Sequence, residues 1–129
     1  MLFICRSRNK NHRGLFLFLH SLNIDFDVIM LSEIWNYNLE LYHNVFANYN
    51  FHFVVSETSS VGGVRIFVKN TFVVHVLDHL QMLATGDSMI KNLWLEIDTG
   101  NRNYIVAGFY SHPNQNNDSL IIYWTTVFL

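Results

Sequence analysis

The sequence predicts an α+β domain, a layered sandwich in which strands dominate and helices lie towards the two ends of the chain. Three observations predict it. The run Val28-Ile29-Met30-Leu31 is unbroken, apolar and too short for a helix, as expected of a strand buried on both faces. The stretch from Leu93 to Asp98 alternates strictly, with Leu93, Leu95 and Ile97 on one side and Trp94, Glu96 and Asp98 on the other. Helical spacing is confined to Leu15, Phe18, Leu19 and Leu22 near the start and to a segment near the end, capped by Asp118 or Ser119.

The remaining elements follow in order. Met1 to Cys5 reads as a short strand, and the polar, basic stretch Arg6 to Arg13 as a loop. Leu15 to Leu22 is a helix whose apolar face is widened by Phe16 and which stops at Asn23. With Val28–Ser32 this makes a β-α-β opening with parallel strands. Asn36 to Asn50 is aromatic and Asn-rich without clean period, a loop with room for a short helix. Phe51 to Ser56 and Val64 to Lys69 form a hairpin across Gly62-Gly63. Thr71 to Leu77 is a β-branched run, and Asp78 to Asn92 reads as loop. Thr99-Gly100-Asn101 turns the chain from the alternating strand into Tyr104–Tyr110, after which Ser111-His112-Pro113-Asn114 begins a polar linker.

Composition narrows the functional classes. The chain has 129 residues, of which 50% are hydrophobic and only 14% charged, against about 25% charged in an average soluble domain. Such a surface calls for a covering partner or for more of the same fold, or else leaves the chain poorly soluble. The net charge of −2 creates no global field for nucleic acid, but Arg6, Arg8, Lys10 and Arg13 hold half of all Lys and Arg. A single cysteine, Cys5, excludes an intrachain disulfide framework and fits a reducing compartment. No stretch has the length of a membrane span, so no membrane is expected as a partner.

Chemistry is concentrated at Glu33, placed where the buried strand ends, with Trp35 beside it. A carboxylate there is either turned to water or paired with a metal ion or an arginine, because desolvating it alone is costly. His75 and His79 stand four apart, but their β-type context and the lack of a third ligand argue against zinc. Ser32 lacks a nucleophile elbow, and Gly62-Gly63 lacks the Lys-Ser/Thr of a phosphate loop.

Four stretches read together carry a resemblance. Leu31-Ser32-Glu33-Ile34-Trp35, Gly62-Gly63-Val64-Arg65-Ile66-Phe67-Val68-Lys69, Asn92-Leu93-Trp94-Leu95-Glu96-Ile97 and Tyr110-Ser111-His112-Pro113-Asn114 occur in that order. They resemble the L-S-E-T-W, G-G-V-A-I-Y-V-K, E-x-L-W-L-E-I and Y-R-x-P-N wordings of the endonuclease/exonuclease/phosphatase superfamily, and among its members the endonucleases of LINE-type (non-LTR) retrotransposons. The resemblance implies a four-layer α/β/β/α sandwich of the deoxyribonuclease I type, with residues 1–129 as the N-terminal portion of one domain. It further implies a magnesium-dependent DNA endonuclease in which Glu33 binds Mg2+, Tyr110 lies near the scissile phosphate and Asn114 shapes the groove. By the same resemblance Arg6, Arg8, Lys10 and Arg13 border the DNA backbone; read from the residues alone they equally form a solvated loop, and Tyr110 is equally a core aromatic. The partners implied are DNA, a C-terminal half of the domain and a downstream reverse transcriptase.

Some family positions are altered. Ile4 stands where the family has a metal-contacting Asn, Lys91 where it has Glu, and Ser111 where it has Arg. The family's later G-D-F-N and S-D-H elements, which hold the general-base His, would follow the terminal helix, and the sequence ends at Leu129 before either. The expectation is therefore a truncated, inactive copy. Two alternatives stand beside it: a non-catalytic module binding nucleic acid or protein, and a phosphatase of the same superfamily.

Overall fold

The computed structural model describes residues 2–6, 12–32, 43, 46–55, 63–81 and 90–111. In chain order the elements are β1 (Leu2–Arg6), α1 (His12–Ser21), β2 (Val28–Ser32), β3 (Tyr49–Val55), β4 (Gly63–Lys69), β5 (Val73–Val76), α2 (Asp78–Gln81), β6 (Ile90–Asp98) and β7 (Asn103–Ser111). They form a four-stranded sheet in the order β1-β2-β4-β3 and a three-stranded sheet in the order β5-β6-β7. β1 and β2 run parallel, as the β-α-β opening requires, and every other pairing is antiparallel.

The two-residue period of a strand explains how the sheets stack. On β2, Val28 and Met30 face the three-stranded sheet, while Ile29 and Leu31 face the side on which α1 lies. β4 repeats the pattern: Val64, Ile66 and Val68 meet Leu93, Leu95, Ile97 and Tyr110 between the sheets. Phe67 turns the other way and packs with Leu19, Phe26 and Phe46. Phe46 and Phe67 lie with ring centroids 4.5 Å apart, and Tyr49 meets Phe46 edge-on at 5.8 Å. Both central strands are thus buried on both faces, which is why Val28–Leu31 has no polar residue in it.

α1 ends as its sequence predicts. Asn23 adopts φ 48°, a left-handed conformation that Asn tolerates, and its N–H donates to His20 O at 3.1 Å. The helix begins earlier than expected, however: Arg6 ends β1, and His12 and Arg13 already belong to α1, so Arg6–Arg13 is not one loop. The buried face is also narrower. Leu19 is buried and Leu22 half-buried, but Phe18 is 49% exposed and Phe16 36%. The ten-residue helix offers only one side to a sheet whose α1-facing side is already filled by the Phe46–Phe67 cluster.

Two more boundaries differ. Within Asp78–Asn92, read as loop, Asp78–Gln81 is a short helix and Ile90–Asn92 extends β6. Sheet pairing with β7 supplies hydrogen bonds that the polar Lys91 and Asn92 do not advertise in the sequence. At the other end of that hairpin, Gly100 takes φ 83° and donates its N–H to Asp98 Oδ1 at 2.7 Å, closing the predicted turn. The expected terminal helix from Asp118 lies outside the described residues.

Candidate functional site

The strand registers bring the sequence motifs to one end of the sandwich. β2 finishes at Ser32, which pairs with Arg6 at the end of β1 and with Val64 at the start of β4. On the second sheet, Lys91 near the start of β6 pairs with Tyr110 near the end of β7. Gly108 shows how the two sheets are aligned. A methyl group on its Cα would lie 2.4 Å from Val64 Cγ1 and 3.1 Å from Met30 Sδ. β7 therefore lies directly on β4 and β2, and two residues further on Tyr110 enters the core beside the Ser32–Val64 end. It is 7% exposed.

Lys91 shares the inner face of its sheet with Tyr110, because directly opposed residues of an antiparallel pair point the same way. It is half-buried. Its amine brings a positive charge to this end of the sandwich. It repels a divalent cation and attracts a phosphate. Ile4, which is in register with Met30, carries no oxygen donor in its side chain. Magnesium prefers about six oxygen ligands with one or two protein carboxylates among them. Among the described residues no three His, Cys, Asp or Glu side chains converge to hold a metal ion.

Of the other residues singled out by sequence, Glu33, Asn114, Arg8 and Lys10 lie outside the described residues. Arg6 ends β1 at the candidate site, Ser111 ends β7 there, and Arg13 lies in the first turn of α1. His75 lies on β5 and His79 on α2, both exposed, and no third His, Cys, Asp or Glu joins them among the described residues. Sequence reasoning missed Arg65. It is 2% exposed, opposite Leu31 and Phe53 in the register and facing away from the second sheet. The only sequence signal was its departure from the Ala of the G-G-V-A wording. It also missed His52, whose Nε2 is buried without a hydrogen-bond partner among the described residues and whose pKa is pushed down by burial.

The far end of the sandwich is held differently. Lys69 Nζ meets Asp25 Oδ2 at 2.6 Å and Asp27 Oδ1 at 3.0 Å. Hydrogen bonding to these carboxylates, Asp25 first, raises the lysine pKa, and Lys69 in turn lowers that of Asp27. Tyr49 donates its hydroxyl to Phe26 O at 2.6 Å.

Solved structures share this arrangement. The chain superposes on the endonuclease domain of TRAS1, a telomere-specific non-LTR retrotransposon, with a TM-score of 0.68 at 12% identity, covering 98% of this chain and 52% of that one. Against D. rerio TDP2 humanized by 14 mutations the TM-score is 0.69 at 13% identity, covering 98% and 55%. The endonuclease/exonuclease/phosphatase fold is present. A third structure with this fold, TDP2 from C. elegans, superposes with a TM-score of 0.59 at 14% identity over 90% of this chain and 36% of that one. The chain spans about half the length of the first two proteins. No protein-family profile and no curated protein sequence matches it. At these identities the likeness is one of fold, and the helix, four-stranded sheet and three-stranded sheet described above are three layers of it.

Proposed function

We propose that residues 1–129 are the N-terminal portion of a retroelement-encoded DNA endonuclease domain that has kept its DNA-facing end and lost hydrolysis. What supports this is that Ser32 pairs with Arg6 and Val64 at one end of the four-stranded sheet, that Lys91 pairs with Tyr110 at one end of the three-stranded sheet, and that Gly108, two residues before Tyr110, stacks on Val64. In this reading Tyr110 borders the phosphate, Lys91 meets its charge, and Arg6, Arg8, Lys10 and Arg13 contact the DNA backbone. Glu33 is the remaining metal carboxylate and Asn114 a groove residue, while Ile4, Lys91 and Ser111 remove the companions they need. Hydrolysis of a phosphodiester also needs a base to activate water, which the resemblance assigns to an element that follows residues 1–129.

Two measurements on the same preparation test it. Fluorescence anisotropy should show binding to duplex DNA that weakens with salt. Replacing the four basic residues by Ala should flatten the log K against log salt slope by roughly 3–4, at about 0.9 per phosphate contact. Supercoiled plasmid in magnesium should stay intact. Binding that ignores those substitutions, or nicking that Glu33→Ala abolishes, would overturn the proposal.

A further inference from the structure

We propose that His52 is an acid-sensitive latch: while it is neutral α2 stays closed over the layer between the sheets, and its protonation lifts α2 and lets water in. Three observations carry this, and none depends on the nuclease reading. First, the register points His52 inward. It pairs with Ile66 of β4, which is fully buried between the sheets, and directly opposed residues of an antiparallel pair share a face. Val54, two residues further on, packs against the same core. Second, His52 Nε2 is buried and has no hydrogen-bond partner among the described residues. A neutral imidazole tolerates this with its proton on Nδ1, leaving Nε2 a bare acceptor. Protonation adds an N–H at Nε2 and a charge to the ring, and a buried cation without an acceptor costs far more than a buried neutral ring. Burial accordingly holds the His52 pKa below its ordinary value. Third, a cavity of about 290 Å³ adjoins the ring, walled by Val76, Leu93 and, from α2, Asp78 and Gln81.

The walls differ in what it takes to move them. β3 is held to β4 through seven paired residues, and Leu93 belongs to the core of β6. α2 has four residues, none of them buried. It hangs from Leu77, whose N–H donates to Trp94 O at 2.9 Å, and its own turn is closed by Leu80 N–H donating to Leu77 O at 3.0 Å. Lifting α2 therefore uncovers no buried side chain of its own, and it is the element that yields when the charged ring needs water. The groups facing the ring decide the direction of movement. β4 presents Ile66, β5 Val76 and β6 Leu93, all uncharged, with Lys91 two residues before Leu93 on the same face. Among the described residues Asp78 is the one other ionisable group on the cavity wall, and it is exposed to solvent. The protonated ring is thus satisfied by water entering past α2.

Hydroxyl-radical footprinting read by mass spectrometry tests the latch. Leu93 and Ile97 are each 2% exposed and share the inner face of β6, but only Leu93 lies on this cavity. Between about pH 8 and pH 5, the range in which histidine titrates, oxidation of Leu93 should rise at least fivefold while that of Ile97 stays level. His52→Gln, neutral at both pH values, should abolish the rise, and Asp78→Asn should keep it. In the unaltered chain the His52 ring titration, followed by NMR, should share its midpoint with the rise, a check that does not depend on any variant folding. Leu93 that stays protected at the lower pH, an equal rise at Ile97, or a rise that survives His52→Gln would overturn the proposal. So would a rise lost in Asp78→Asn, which would make the device an ion pair, or midpoints about a pH unit or more apart.

Discussion

Gly108→Ala should destabilise the sandwich although it adds a single methyl group. The added Cβ would lie 2.4 Å from Val64 Cγ1, 3.1 Å from Met30 Sδ and 3.4 Å from Ile66 Cδ1. Carbon–carbon contacts are most favourable at roughly 3.5–4.0 Å, so the first contact is more than an ångström too close. Val64 and Ile66 are both fully buried and have nowhere to rotate. β7 must therefore lift away from β4, or Val64 must leave its rotamer. Overpacking of this kind costs about 1–3 kcal/mol, a large part of the ~5–15 kcal/mol that holds a whole domain. The assay is urea unfolding followed by tryptophan fluorescence, since Trp94 lies on β6 beside β7 and meets Phe109 edge-on at 5.5 Å. Pairing the change with Val64→Ala removes the offending Cγ1, so the double variant should be more stable than the sum of the two single losses implies. A Gly108→Ala chain as stable as the original would refute the close stacking of β7 on β4, and with it the placement of Tyr110.

Three further outcomes are expected. His52 is held neutral by burial, with a folded pKa below its ordinary ~6.5. The unfolded chain then takes up the proton first, so its contribution is intact above pH ~6.5 and is lost as pH falls from there towards the folded pKa. His52→Gln should reduce the difference in urea midpoint between pH 8 and pH 5. Lys69→Met removes partners from Asp25 and Asp27, both substantially solvated at 83% and 44% exposure. It should cost under about 1 kcal/mol, less still in high salt, as read from the same unfolding curves at two ionic strengths. The dye ANS should bind the native chain at α1, where Leu17 is 64% and Phe18 49% exposed. Leu17→Lys combined with Phe18→Glu should remove at least half of that fluorescence.

What could be read from the sequence depended on whether one neighbour or several determined a residue's state. β2 was legible to the residue, because a strand buried on both faces must be apolar throughout and Val28–Ser32 nearly is. The alternation of Leu93, Leu95 and Ile97 was equally plain, since one face of β6 meets the other sheet. The exposed Phe16 and Phe18 could not be read from helical period alone, because burial of that face depends on what the sheet already holds. Lys91 and Asn92 looked like loop because their strand character comes from pairing with Tyr110 and Phe109, far along the chain. The site followed the same division. Motif wording named Tyr110 and Lys91, but only the register makes them neighbours, and nothing in the sequence pattern predicted a buried Arg65 one residue in from that end.

The most direct test of the proposed nuclease ancestry joins residues 1–129 to the C-terminal half of the TRAS1 endonuclease domain and introduces, by Ile4→Asn and Lys91→Glu, the donors that the resemblance implies at these positions. Incubated with supercoiled plasmid in magnesium, this chimera is predicted to nick DNA. It should do so at least tenfold faster than the chimera without the two substitutions, and not at all with Glu33→Ala. A chimera that melts cooperatively yet leaves the plasmid intact, or one that nicks equally well with Glu33→Ala, would contradict the assignment of this end of the sandwich as a nuclease site.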